Sequence, residues 1–395
     1  MRTQALNAAL AMLLLCVAGV PHDLAREANG SEATLPTLAG KPEFHQTTDW
    51  RALPSFKFDT LCFLNALTGD PFYVKYYKGE YARFQPQLTP AARNALANLK
   101  RRIKHDNKGI ISAFLCSYFS ATNDETLDDL LKTLDDTGAM QNVLRQTPYY
   151  SEVGWREFKA AGADLKTVFL FLKDIRFEDY WRENVLPKVR LKIAAMEKEL
   201  PKYNVVAEVE KHLGYALPSN QITVYMLYYS QPHGIRITGT RFLTDIAWPL
   251  PILVRNAIHE MMHPPYDWQR DGELRKIVAA LKADAFLMDK VKNHNPDFGY
   301  NSFESYIEEN CIRALDQIIS ERLGIALEPR KRWRYEDDGM HVFAVALYSL
   351  LKQENYNARA EKFRDFLIRM IRSDKLAAGK IQSSYESFYA QQVTL

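Results

Sequence analysis

The segment Ala257-Ile-His259-Glu260-Met-Met-His263, closed by Pro264-Pro265, limits what this 395-residue chain can fold into more than any other stretch. Residues 251–258 before it are largely apolar, so the run reads as a buried helix. A residue that precedes proline is pushed out of the α region, so that helix has to stop near position 263. His259 and His263 are four apart, which on a helix places them on one face, one turn apart. Two imidazoles so placed can bind one metal ion, and Glu260 beside them is a candidate general base. The competing reading is an amphipathic core helix whose two histidines are only hydrogen-bonded.

Bulk properties narrow the partners. Apolar residues make up 47 % and charged residues 25 % of the chain, ordinary values for a globular protein of up to two or three domains. A net charge of +3 is too small for a nucleic-acid footprint, and the cluster Lys100-Arg101-Arg102 with Lys104 reads as a solvated helix face. Arg2, the apolar run over residues 8–19 and the small residues around it have the form of a secretory signal cut near 18–25. The run is short for a membrane span and no other stretch is long and apolar enough, so no stable span is expected after cleavage. The expectation is a secreted or periplasmic protein. Leu15 is bulky where a lipoprotein site before Cys16 carries a small residue, which argues against a lipid anchor. Beyond the signal, Cys62, Cys116 and Cys311 remain, an odd number. Cys62 and Cys116 are candidates for pairing, and Cys311 reads as a small buried apolar residue.

The chain divides by pattern. Residues 1–25 hold the signal and its cleavage region, and 26–49 are small, polar and proline-rich, the composition of a flexible leader. Residues 50–200 read as a helical N-terminal region, with dense aromatics from Phe56, a turn at Thr68-Gly-Asp-Pro71, a helix start at Thr89-Pro90 and a capping box at 122–125. Residues 110–119 fit strand or helix. Over 201–330 the pattern changes: a helix at 205–213, a β-branched and aromatic strand at 221–229, short strands at 235–238 and 241–243, the histidine helix, a charged helix at 272–290 and a long helix from Phe303. Residues 331–395 read as C-terminal helices, over 340–351 and 360–371, with a polar, frayed tail after Ser373. The fold class is α+β, predominantly helical, with a small β-sheet before the histidine helix. Such a sheet suits a peptidase whose edge strand aligns an extended peptide by backbone pairing.

A catalytic zinc site commonly has three protein ligands and an open position, so two histidines leave one ligand to find. Glu304, Glu308 and Glu309 on the long helix are the candidates. The apolar positions 303, 307, 311, 315 and 318 define one face, and Glu304 and Glu308 lie nearer to it than Glu309 does.

With these residues the chain resembles the gluzincin metallopeptidases, in which HExxH is followed by a glutamate ligand on a separate helix. More narrowly it resembles a poorly characterised bacterial family with HExxH, a proline soon after, and a later ExxxRA segment, here Glu309-Asn-Cys-Ile-Arg313-Ala314. The resemblance implies a zincin-like catalytic core, Zn2+ held by His259, His263 and Glu309, Glu260 as general base, and a peptide or protein substrate. Arg313 would then orient Glu309. Such enzymes add a donor for the developing oxyanion; His341 is the expectation here, with Tyr335 and His233 as alternatives. A proline directly after the second histidine departs from most zinc peptidases and puts the anchoring of His263 in doubt. Two other function classes stay open: a catalytically inactive exported helical protein that binds peptide or protein, and a zinc hydrolase acting on a non-peptide amide.

Overall fold

Strand β2 (Gln221–Leu227) alternates little and is buried on both faces, with Ile222, Val224 and Met226 inaccessible, as a central strand requires. In the computed structural model it lies between β1 (Asp49–Leu53) and β4 (Arg241–Asp245), parallel to both, and β3 (Ile235–Ile237) closes the sheet antiparallel to β4. The structure describes residues 44–107, 109–147, 149–268, 270–356 and 361–390; the expected signal, most of the leader and Cys16 lie outside them. Helices dominate the rest, so the chain is α+β and predominantly helical around a four-stranded mixed sheet.

Several elements differ in detail from expectation. β1 starts at the last residue of the stretch read as leader and runs into the region read as helical, pairing Asp49 with Gln221 and Leu53 with Tyr225. Residues 110–119 resolve as a helix, Ile111–Phe119, buried throughout. The charged helix splits into Gly272–Ala279 and Ala285–Asn293, because Asp284 caps the second piece by accepting from Leu287 N at 2.8 Å. The tail carries a helix, Ile381–Ala390, whose Phe388 packs on Trp333 and Tyr348. Cys62 and Cys116 are buried free thiols with sulfurs 4.0 Å apart, and Cys311 is a buried free thiol.

Two helices position the site. Leu250–Met261, the histidine helix, follows β4 and packs back on it, with prolines at 249 and 251 where its first turn needs no donors. Phe303–Arg322, the glutamate helix, starts at a capping box formed by Ser302 and Ser305 and packs along the histidine helix.

Two buried acids, Asp59 and Asp245, give the fold a pH signature. Asp59 is fully buried and accepts from Tyr228 N, Tyr229 N and Trp181 Nε1 at 2.7, 2.9 and 2.8 Å. Burial outweighs these bonds and pushes its pKa up to about 7, and Asp245 nearby is raised to about 7 for the same reason. The unfolded carboxyl titrates near pH ~4. Between these values the folded state holds the extra proton, so this contribution is full at low pH and is lost as pH rises through about 7. Asp59→Asn should therefore flatten the pH dependence of unfolding free energy between pH ~4 and ~7, by up to about 4 kcal/mol across the window. Urea melts at a series of pH values check it, and parallel wild-type and variant curves would contradict it.

Candidate metal centre

The histidine helix ends at Met261 with Met262 as its cap, so His263 lies just beyond regular helix. It is nevertheless held. Its backbone N donates to Glu260 O at 3.3 Å, and its Nδ1 meets Glu308 Oε1 at 3.1 Å. His259 Nδ1 meets Asp316 Oδ2 at 3.0 Å. A carboxylate can only accept, so both imidazoles carry a proton on Nδ1 and turn Nε2 inward. There Glu309 Oε2 joins them. The three inward atoms form a triangle with edges of 3.3 Å (His259 to His263), 3.3 Å (His259 to Glu309) and 3.6 Å (His263 to Glu309).

That triangle fits a metal. Tetrahedral bonds of about 2.0–2.1 Å separate ligand atoms by about 3.3–3.4 Å. His259, His263 and Glu309 could therefore hold a metal ion together. Their electrostatics favour positive charge. Burial works against a charge on His263, but Glu308 and Glu309 outweigh it and raise its pKa to about 9. Burial likewise opposes ionisation of Glu309, yet His259 and Arg313 hold its carboxyl well below the usual range.

Behind the ligands lies a buried ionic network. Arg313 Nε donates to Glu309 Oε1, Nη1 to Glu336 Oε1 at 2.7 Å and Nη2 to Asp337 Oδ2 at 3.4 Å. Arg332 grips Asp316 with both terminal nitrogens and donates from Nε to Glu336 Oε2 at 2.8 Å. Arg255, one turn before His259, is buried near Arg332 and Glu336. Each inner carboxylate thus has a partner that fixes its orientation, and Asp316 in turn fixes His259.

Glu260 is the exception. It is fully buried, and neither carboxylate oxygen meets a hydrogen-bond partner among the described residues. Burial raises its pKa to about 7. Gly234 makes room for it: a Cβ there would stand 3.0 Å from Glu260 Oε1.

The other expected residues fall elsewhere. Glu304 faces Lys282 at 3.0 Å, away from the cluster, and Glu308 serves the outer nitrogen of His263. His341 is buried, with Nε2 2.7 Å from Asp337 Oδ2. It stands behind Arg313, and no hydrogen bond among the described residues joins it to His259, Glu260, His263 or Glu309. Tyr335 is 61 % exposed, and His233 Nε2 lies 2.9 Å from Tyr73 Oη. Sequence reasoning missed Asp316, Arg332, Glu336 and Asp337. Spacing held one signal for them: Glu309, Arg313 and Asp316 recur at helical intervals on one stripe.

Comparison with family models, with curated proteins and with solved structures finds no match to this chain.

Proposed function

We propose that this chain is an exported zinc-dependent hydrolase of gluzincin type that cleaves peptide bonds. His259, His263 and Glu309 are its metal ligands, Glu260 is its general base, and the sheet with the two helices forms a zincin-like core. The observation that carries the reading is Glu260, a buried carboxylate without a partner set beside three ligand atoms of tetrahedral spacing. A buried acid costs stability unless it is paired, and a base for an incoming water accounts for that cost. Two nitrogens and one oxygen suit zinc among the available ions.

Bound there, zinc supplies Lewis acidity, which polarises a carbonyl oxygen and brings the ionisation of water towards neutral pH. Glu260 takes the proton of the attacking water and passes it to the leaving amine nitrogen. Asp316 and Glu308 hold the imidazoles, Arg313 holds Glu309, and His341 acts through Asp337 on Arg313.

One observation favours a second reading. His259, Glu260 and Glu309 are wholly enclosed and His263 is 7 % exposed, which suits a metal that merely ties two helices together in a non-catalytic binding protein. A structural ion, however, gives no role to an unpartnered Glu260. Mass-spectrometric mapping of peptide cleavage separates the two. Under the hydrolase reading, chelation abolishes cleavage and added zinc restores it; cleavage that survives chelation, or none by the zinc-loaded chain, counts against it.

A further inference from the structure

Arg236 is another charged group at the metal centre, beside Glu260. It sits on the edge strand β3, two residues after Gly234, whose Cα lies against Glu260. It is 7 % exposed. Its Nη1 donates to the main-chain oxygen of Glu260 and touches Met261 Sδ at 3.6 Å. Its Nε meets no acceptor, and no carboxylate lies within ion-pair distance, among the described residues. Arg313 has Glu309 and Glu336 and Arg332 has Asp316, whereas Arg255, also buried, has Nε and Nη1 without an acceptor among the described residues. A buried guanidinium left over in this way is expensive.

The free edge of β3 is also occupied. Tyr149 Oη donates to Ile237 O at 3.3 Å, where an extended peptide would place a backbone N–H. Tyr149 stands within side-chain hydrogen-bond reach of Arg236 and electrostatic reach of Glu260 and Glu308, and Tyr215, whose Oη donates to Pro264 O at 2.8 Å, within electrostatic reach of Arg236 and Glu308. Both tyrosines are half-buried, and the Glu308 side chain is 19 % exposed. Beside an enclosed centre, these three side chains are partly exposed to solvent. A long strand pairing along β3 does not fit this arrangement; a chain end does.

Resting on the hydrolase reading above, we infer that Arg236 is a specificity residue that pairs with a carboxylate of the substrate, the free α-carboxylate of a short peptide, so that cleavage falls near the C-terminus. The guanidinium offers planar donors that match a carboxylate, and an enclosed site strengthens the pairing. A substrate carrying an acidic side chain would offer the same chemistry, and the test separates the two.

The test measures binding, so that it does not depend on turnover. Zinc-loaded Glu260→Gln protein is titrated calorimetrically with N-acetylated tripeptides ending either in a free carboxylate or in a carboxamide, and with a carboxamide tripeptide carrying glutamate. The free acid should bind roughly 10- to 100-fold tighter than the amide. In the double variant with Arg236→Gln that preference should vanish while zinc content is unchanged, and Arg236→Lys should restore part of it. Equal affinity for acid and amide, no binding of either, or a preference retained without Arg236 overturns the inference. Tight binding of the glutamate carboxamide alone overturns the α-carboxylate assignment. Should the Arg236 variants not fold, the acid-against-amide comparison on the intact arginine decides. Absence of turnover by the zinc-loaded wild-type chain, with the acid preference of the Glu260→Gln protein intact, would instead count against the hydrolase reading alone.

Discussion

Glu260→Gln should lower the turnover of the zinc-loaded protein by about 10²- to 10⁴-fold and leave its zinc content unchanged. The substitution is isosteric, and no hydrogen bond is lost because neither oxygen of Glu260 has a partner among the described residues. An amide cannot take the proton of a water molecule. Folding should not suffer, since a carboxyl whose pKa burial raises to about 7 is replaced by a neutral group. Steady-state kinetics and metal analysis on the same preparation check both halves. A turnover within about tenfold of wild type would remove Glu260 from the chemistry.

Arg313→Leu should cost about 3–5 kcal/mol of unfolding free energy. The side chain is fully buried and bonded to Glu309, Glu336 and Asp337 together. Removing it leaves three carboxylates crowded without their main counter-charge, and leucine fills much of the volume, so the loss is electrostatic rather than a cavity effect. Glu309 would lose the bond that holds it, and zinc affinity should fall by about 10- to 100-fold. Urea denaturation and chelator competition read the two effects. A loss below about 1 kcal/mol, the value of an exposed ion pair, would mean that the network does not hold the centre.

His259, Glu260 and His263 were legible because their chemistry and spacing lie within five residues at the end of one helix. Glu309 was harder. The apolar positions of the glutamate helix suggested a core face nearer Glu304 and Glu308, but this helix is buried almost all round: Glu309, Arg313 and Asp316 are as inaccessible as Ile307 and Leu315. Amphipathic pattern cannot identify a face that is polar and buried at once. Arg332 and Glu336 were invisible for a related reason, since each is an ordinary charged residue until its partner is placed, and Asp316 was marked only by its helical spacing from Glu309 and Arg313. The small sheet before the histidine helix was readable from β-branched and aromatic content, whereas β1 was not. Its five residues alternate between exposed and half-buried, and its partner β2 comes 172 positions later, so no local signal announces the pairing. The helix Ile381–Ala390 carried its signal in Ile381, Tyr385 and Phe388, diluted by the serines and glutamines between them.

The most direct test of a metal held by His259, His263 and Glu309 is zinc stoichiometry on the purified chain and on its Glu309→Ala and Glu308→Ala variants. About one zinc per wild-type chain is expected, with Glu309→Ala losing the ion and Glu308→Ala retaining it more weakly. A wild-type chain that takes up no zinc when zinc is supplied, or a Glu309→Ala chain that binds it as tightly as wild type, would contradict the account.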